Sequence, residues 1–255
     1  GTLKARDTDP IKGTFPCPIS VSIDEDTLDQ APVFYGRVVR GVKNGPSPAW
    51  LQDCLKAIGL RPISTLVDIT NFFTYDRNRP LHVFDADKVA GNALRVHRAA
   101  GGETFKALDE KEYTLVEGMT AISDANGVES LAGIMGGEHS GCTDETTNVF
   151  IEAAFFDPVC TAYTGRALKI HSDARYRFER GIDAAWTPIG LDHATQMILD
   201  LCSLPYNSIE PDLAFSNPDK RCNNVVFPIP ELPSINKFSS FLSLMSSNLN
   251  MKSLS

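Results

Sequence analysis

One carboxylate stands out among the residues that could do chemistry, because its neighbours along the chain are apolar. Residues 149–156 (VFIEAAFF) are rich in β-branched and aromatic types and predict a buried strand. Side chains alternate between the faces of a strand, so Glu152 shares a face with Phe150, Ala154 and Phe156. An ionised carboxylate that is buried alone loses its hydration, which costs several kcal/mol or raises its pKa. Glu152 therefore needs a ligand hydroxyl, an internal Arg or Lys, or a strand face that water reaches.

The segment before this strand is rich in glycine and reads LAGIMGGEHSG over residues 131–141. Glycine allows backbone N–H groups to approach an anion, but this loop lacks the Gly-Lys-Ser/Thr ending of a phosphate-binding P-loop. No dinucleotide-binding fingerprint lies nearby. We expect a pocket wall, in which Gly133, Gly136 and Gly137 leave room for a ligand ring or acyl group.

Three further side chains could assist a reaction. Thr70 and Asn71 lie in a predicted helix, although both residue types compete with the helix for backbone hydrogen bonds. They are cap or packing residues, or they present a hydroxyl and an amide to a water or a carbonyl. His82, between Leu81 and Val83, is either a core histidine or a base.

One cluster of basic residues could bind RNA. Such a cluster is either a solvated helix face with internal pairs, such as Arg175 with Glu179 at i, i+4, or a contact for the phosphates of an RNA end. The cluster comprises Arg166, Lys169, His171, Arg175, Arg177 and Arg180.

Composition excludes several classes of protein. The net charge is −8, so any nucleic-acid contact would use a local basic patch. The six cysteines form no CxxC pair and the histidines show no ligand spacing, so we expect reduced cytosolic thiols and no metal. No apolar run approaches the length of a membrane span, and no signal peptide is recognisable. The first residue is Gly, which suggests a fragment of a longer chain.

The pattern of elements predicts an α+β fold: a mixed or antiparallel β-sheet core flanked by helices, in a layered sandwich. Short strands are expected at Phe34–Val42, between residues 94 and 124 with a hairpin turn at 109–111, at Val128–Ile134 and at 149–156. Leu81–Phe84 is expected to be a connection. Helices are expected after Ser47 as N-cap with Pro48 at the first position, up to Gly59, and at Thr65–Asp76, Val159–Lys169, Ser172–Arg180 and Ala184–Leu201.

Proline spacing suggests three regions. Residues 1–32 are expected to be an extended lead-in or linker, and residues 33–204 the central domain. Residues 205–255 are expected to begin a following domain and to be poorly ordered, because prolines interrupt them and the tail is rich in Ser and Asn.

Four ordered motifs resemble a known family. They are LRPISTLVDITNFF, RPLHVFDADKV, LAGIMGGEHSGCTDETTNVFIEAAFFDP and SDARYRFERGIDAA. Together, from about Phe34 to Leu204, they resemble the central editing region of the β subunit of bacterial phenylalanine–tRNA synthetases. The family's β subunit is much longer than this chain.

The resemblance implies a function and a site. The family is a cytosolic α2β2 ligase whose α subunit carries the ATP-dependent site, and its β-subunit editing region hydrolyses tyrosine mischarged onto tRNA(Phe). The implied partners are tRNA(Phe), the α subunit and tyrosine, with no cofactor in this region; ATP and Mg²⁺ belong to the whole synthetase. By motif, the implied catalytic residues are Thr70, Asn71 and His82; the implied substrate-binding residues are Glu152, Ala132, Gly133, Gly136, Ser172 and Ala174; and the implied RNA contacts are Arg175, Arg177 and Arg180. Ser172 stands where the family pattern has Thr.

The resemblance gives Glu152 a partner. A tyrosyl ring would offer its phenol O–H to this carboxylate, whereas a phenylalanyl ring would leave it unpaired. Sites that hydrogen-bond a substrate hydroxyl reject the analogue without it by roughly 10⁴–10⁵. The alternative is a non-catalytic RNA- or partner-binding scaffold module with a vestigial pocket.

Overall fold

The computed structural model describes residues 10–202 and a strand at residues 213–216. Strands and helices are numbered along the chain. The first sheet has the order β1 (Phe15–Pro16), β12 (Leu213–Ser216), β3 (Val33–Arg40), β11 (Asn148–Phe155) and β4 (His82–Asp85). The second has the order β10 (Met135–Gly136), β9 (Val128–Leu131), β8 (Thr120–Ser123), β5 (Ala93–Arg98) and β2 (Ser20–Ile23). A hairpin joins β6 (Thr104–Lys106) to β7 (Glu112–Thr114), around the turn expected at 109–111.

Five α-helices occur in the described residues. They are α1 (Ala49–Ala57), α2 (Thr65–Asp76), α3 (Pro158–Ala167), α4 (Asp173–Phe178) and α5 (Thr187–Cys202). Short 3-10 turns occupy Glu25–Thr27, Ala86–Lys88, Ala90–Asn92 and Ala184–Trp186. The mixed α+β prediction is confirmed. None of these helices combines the length and the apolar character needed to cross a membrane.

The core has layers on both sides of the first sheet. Val149, Ile151 and Ala153 of β11 face a cluster completed by α1, α2 and α5. Phe150 and Ala154 face the other way, into a cluster shared with the second sheet. Both faces of β11 are therefore buried, which confirms the buried strand and removes the alternative of a wet second face.

The start of α1 corrects one sequence prediction. Pro48, not Ser47, is the N-cap, and the helix begins at Ala49. The Ser47 hydroxyl instead donates to Asp68 Oδ2 at 2.5 Å. Asp68 is fully buried, and its Oδ1 accepts from the backbone N–H of Ile63 at 2.8 Å. A buried carboxylate without hydrogen bonds costs more free energy than an uncapped helix end, so Ser47 bonds to Asp68 instead of capping α1.

Two other boundaries differ from prediction. Leu81–Phe84 was expected to be a connection, but His82–Asp85 is an edge strand, because it pairs with β11 over four residues. Residues 184–186 form a 3-10 turn rather than the first turn of α5, since Asp183 Oδ1 accepts from Ala185 N at 2.9 Å and fixes that turn. The bounds of α2 match the prediction, and Leu66, Ile69 and Phe73 form its buried face.

The segment expected to be a lead-in contributes to the core. β2 pairs in parallel with β5, and Ile19, Val21 and Ala31 are buried between the two sheets. The division into three regions at residues 32 and 204 stays a prediction. Apart from the strand at 213–216, the expected tail at 205–255 lies outside the described residues.

Candidate functional site

The register of β11 brings Glu152 and His82 together. Glu152 pairs with His82 of β4 on one side and with Gly36 of β3 on the other. Directly opposed residues of antiparallel strands point to the same face, so the carboxyl and the imidazole are cross-strand neighbours. Both lie on the face of the sheet that carries Phe84 and Phe150, towards the second sheet.

Glu152 is buried and incompletely hydrogen-bonded. The residue is 6% exposed, and its Oε2 has no hydrogen-bond partner among the described residues. Burial raises the pKa of the Glu152 carboxyl to about 8, because the ionised form loses its hydration. No salt bridge to Glu152 occurs within the described residues, so the alternative of an internal Arg or Lys partner is wrong there. Most of the carboxyl is protonated at neutral pH.

His82 is equally short of partners. Its ring packs edge-on against Phe84, with centroids 4.4 Å apart, and its Nε2 is buried with no hydrogen bond among the described residues. Burial lowers the pKa of the His82 imidazole to about 4, so the ring is neutral at pH 7. The interpretation of His82 as a fully satisfied core histidine therefore fails for this nitrogen.

The glycines of the 131–141 loop make room for the chain's own groups. A Cβ on Gly136 would overlap the His82 ring, and one on Gly137 would approach the Glu129 carbonyl oxygen at 2.7 Å. Gly133 has φ +70° and would meet the ring of Phe156 at 2.9 Å. Aromatic and backbone atoms of the chain occupy the Cβ positions of these glycines, and contact of Gly133 and Gly136 with a substrate stays a prediction. The role of Gly136 is to let His82 lie against the loop.

Ser172, Ala132 and Ala174 connect this loop to α4. Ser172 is the N-cap of α4: its hydroxyl accepts from the backbone N–H of Arg175 at 3.1 Å and donates to the Ile134 carbonyl at 2.7 Å. Ala132 is buried in the core between the two sheets, and Ala174 packs against that core. The bond from Ser172 to Ile134 therefore ties α4 to the loop that contacts His82.

Thr70 and Asn71 are not joined to Glu152 in this way. The apolar face of α2 packs on the opposite face of the first sheet, against Val149 and Ile151. The Thr70 hydroxyl donates to the Val67 carbonyl at 2.8 Å within its own helix. Asn71 is half-buried, and within the described residues neither side chain hydrogen-bonds to the Glu152–His82 pair.

The basic cluster divides into the buried Arg175, the partly buried Arg177 and exposed members. Arg175 is 7% exposed, and its guanidinium donates to Glu179 Oε2 at 3.1 Å and to the Ile170 carbonyl at 2.5 Å. This confirms the i, i+4 pair and removes Arg175 from the surface, which corrects its expected RNA contact. Arg177 stacks over the Tyr75 ring at 4.3 Å, and the half-exposed Arg180 stacks over Tyr176 at 3.6 Å.

Sequence reasoning missed Gly36. A Cβ at this position would overlap the Phe150 ring, so glycine allows that ring to lie beside Glu152. A glycine inside a strand pattern is itself the signal for such a close approach. Two cavities of about 300 and 590 Å³ have other linings, and Glu152 and His82 contribute to neither.

Comparison with known proteins decides the family. The B3/4 domain model matches residues 30–203, most of the chain. The chain belongs to the B3/4 domain family. This B3/4 domain is 70% identical over 202 residues to the phenylalanine–tRNA ligase β subunit of Ruegeria pomeroyi, covering 79% of the chain and 25% of the relative. It is 61% identical over 203 residues to the β subunit of Cereibacter sphaeroides, with the same coverages.

The B3/4 domain also resembles a third relative and a solved structure. It is 55% identical over 231 residues to the β subunit of Paramagnetospirillum magneticum, covering 89% of the chain and 28% of the relative. An N-terminal fragment of the β subunit from Pyrococcus horikoshii aligns with TM-score 0.42 and 20% identity, covering 58% of this chain and 45% of that one. The resemblance expected from the motifs is confirmed. The chain spans about a quarter of the length of the curated relatives it matches.

Proposed function

We propose that this B3/4 domain hydrolyses the ester bond of tyrosine mischarged onto tRNA(Phe), as the editing region of a phenylalanine–tRNA ligase β subunit. Its partners are then tRNA(Phe) and the ligase α subunit, in the cytoplasm. ATP and Mg²⁺ serve the synthetic site of the whole enzyme, and this region uses no cofactor for editing.

One observation carries the proposal: Glu152 is buried beside His82, and its Oε2 has no partner in the described part of the chain. A buried polar atom without a partner costs about 1–3 kcal/mol, and a ligand that supplies the missing hydrogen bond recovers that free energy. The phenol of tyrosine both donates and accepts, so it matches a carboxyl that is mostly protonated at neutral pH. The Phe ester cannot make this bond and leaves the carboxyl as it was.

The hydrolysis itself needs a positioned water. The water oxygen bonds to the acyl carbon, the bond to the ribose oxygen breaks, and that oxygen leaves with a proton. His82, neutral at pH 7, is able to accept a proton from the water or to orient it. Thr70 and Asn71 are assigned the orientation of the water or the carbonyl by resemblance alone.

The test compares the hydrolysis of Tyr-tRNA(Phe) and Phe-tRNA(Phe) by the 255-residue chain. We expect a marked preference for the Tyr ester, which Glu152→Ala should abolish by bringing the two rates together. Glu152→Gln replaces the carboxyl with an amide, which also hydrogen-bonds to a phenol, so this variant should retain part of the preference. Glu145→Ala, which removes an exposed carboxylate before β11, is the matched control and should behave as wild type.

Equal rates on both esters in the wild-type chain would refute the role of Glu152. Binding of tRNA(Phe) without hydrolysis of either ester would refute the editing function and favour the non-catalytic scaffold.

A further inference from the structure

A second group of titratable side chains lies on the second sheet, and none of its members belongs to the site described above. Asp124, Glu129 and His139 each offer one ligand atom, and these three atoms lie within 4.8 Å of one another. Asp124 follows β8, Glu129 lies on β9 and His139 follows β10. The spacing of histidines along the chain gives no sign of this group, because three separate segments contribute to it.

Glu129 occupies an irregular position in the sheet. Ser130 pairs with Ile122 and Val128 pairs with Ser123, so Glu129 has no opposite residue and forms a bulge. Bulges redirect side chains and are frequent beside functional sites. Glu129 is 4% exposed and its Oε2 is buried with no hydrogen bond among the described residues. After Glu152 Oε2, this oxygen is a second buried carboxylate atom without a partner in residues 10–202.

The other two groups are already held near Glu129. His139 Nδ1 lies 3.0 Å from Glu129 Oε1, and the histidine side chain is 60% exposed. Asp124 is fixed by backbone donors: its Oδ1 accepts from Asn126 at 2.7 Å and from Gly127 at 3.2 Å, and its Oδ2 accepts from Ala90 at 2.8 Å. A carboxylate oxygen retains a further lone pair after one such bond, so Oδ2 of Asp124 is still able to ligate a cation.

We propose that Asp124, Glu129 and His139 bind a divalent first-row transition-metal ion of the Zn²⁺ type. One imidazole and two carboxylates suit such an ion, whereas Mg²⁺ and Ca²⁺ prefer oxygen ligands alone. Ligand atoms around Zn²⁺ stand about 3–3.5 Å apart, given metal–ligand distances of about 2.0–2.2 Å. The exposed His139 is able to make the small movement that this requires.

The surroundings fit a cation. Glu129 and His139 line a cavity of about 300 Å³, which has room for the waters that complete the coordination. Lys106 also lines this cavity, but its ammonium lies 2.6 Å from Glu138 Oε2, so its charge is compensated. Gly137 donates its backbone N–H to the Glu129 carbonyl at 2.7 Å and holds the His139 loop against β9.

The experiment titrates the full 255-residue chain with Zn²⁺ and with Co²⁺. We expect one equivalent of Zn²⁺ to bind by calorimetry and to raise the thermal unfolding midpoint, while Mg²⁺ at the same concentration does neither. His139→Ala should weaken Zn²⁺ binding by about tenfold or more, because losing a ligand costs at least as much as losing a group that supports one. His139 is exposed, so this variant is expected to fold.

His171→Ala removes another exposed histidine and is the matched control, with wild-type affinity expected. The Co²⁺ spectrum separates nitrogen and oxygen ligation from thiolate ligation at the exposed Cys54, whose charge-transfer band would mark an adventitious site. Equal Zn²⁺ affinity in wild type and His139→Ala, or a thiolate spectrum, would overturn the proposal.

Discussion

On the helix-covered face of the first sheet, Arg37 stands opposite Ile151, and its guanidinium donates to Asp192 at 2.6 Å and to Thr195 at 2.8 Å. One residue further along β11, on the other face, Glu152 and His82 are neighbours whose Oε2 and Nε2 have no partner in the described residues. The same strand thus separates a charge that the chain itself has paired from two titratable groups that it has left incomplete.

The two faces differ in how they offset the cost of burying an ionisable group. Removing water from a guanidinium costs several kcal/mol, and a carboxylate with good geometry offsets this cost. Glu152 and His82 avoid the cost differently, since burial shifts each pKa towards the neutral form. Paired charges on one face hold α5 to the sheet, while the two neutral groups on the other face keep one unsatisfied atom each within the described residues.

The largest effect is expected on the paired face. Asp192→Ala leaves the Arg37 guanidinium buried without its carboxylate, which should lower the free energy of unfolding by about 3–5 kcal/mol. Urea denaturation at pH 7 measures this loss. Asp200→Ala, which removes an exposed carboxylate of the same helix, should change stability by less than about 0.5 kcal/mol. Similar losses in the two variants would show that pairing does not distinguish this face.

The unpaired Glu152 should make the free energy of unfolding depend on pH. Between about pH 4.5 and 8 the Glu152 carboxyl binds a proton in the folded chain and not in the unfolded one, so its contribution to stability falls as pH rises. Glu152→Gln removes this dependence, so its stability relative to wild type should rise by up to about 1.4 kcal/mol per pH unit between about pH 4.5 and 8. Denaturant titrations at several pH values provide the measurement, and parallel curves for both proteins would contradict a buried, protonatable Glu152.

His82 should act with the opposite sign. Its pKa is lowered to about 4, so between pH 6.5 and 4 the unfolded chain binds more protons and stability falls as pH falls. In wild type this slope opposes that of Glu152 between pH 4.5 and 6.5, and the two should nearly cancel. In the Glu152→Gln variant the His82 slope should be visible alone, at up to about 1.4 kcal/mol per pH unit. A flat profile in that variant would show that His82 is already hydrated.

A smaller effect is expected where the glycine loop meets His82. The methyl group of Gly136→Ala would overlap the imidazole, so the ring or the loop must shift, at a cost of about 1–3 kcal/mol. Thermal unfolding measures the cost. Ala100→Gly, at an exposed alanine outside this contact, should cost less than about 1 kcal/mol. No loss of stability in Gly136→Ala would mean that His82 is not held against the loop.

The smallest effect is expected at the cap of α4. Ser172→Ala removes a bond to Arg175 N and one to the Ile134 carbonyl, which should cost about 1 kcal/mol. Ser172→Thr keeps the hydroxyl and restores the residue type of the family pattern, so it should stay close to wild type. If Ser172→Thr lost as much stability as Ser172→Ala, the side-chain shape at this position would matter more than the hydrogen bonds of the hydroxyl.

Local patterns predicted the elements well where one periodicity dominated. The bounds of α2 and the burial of β11 follow from the spacing of their apolar residues, which is visible in the local sequence. The predicted cap of α1 was wrong because the Ser47 hydroxyl donates its hydrogen bond to Asp68, which lies 21 residues away in sequence. The sequence analysis did not predict the edge strand β4, because its four residues, which follow Pro80 closely, are too few to show a clear alternating pattern.

What the sequence determined by itself was the family, the α+β class and the presence of a carboxylate among apolar residues, since motif order and alternation are properties of the chain alone. Only the tertiary structure decided that Glu152 faces His82, which rings lie against Gly36 and Gly136, and that Arg175 is buried. Those facts depend on register and on which helix covers which face. Both arise from contacts between residues far apart in the chain, and no local pattern encodes them.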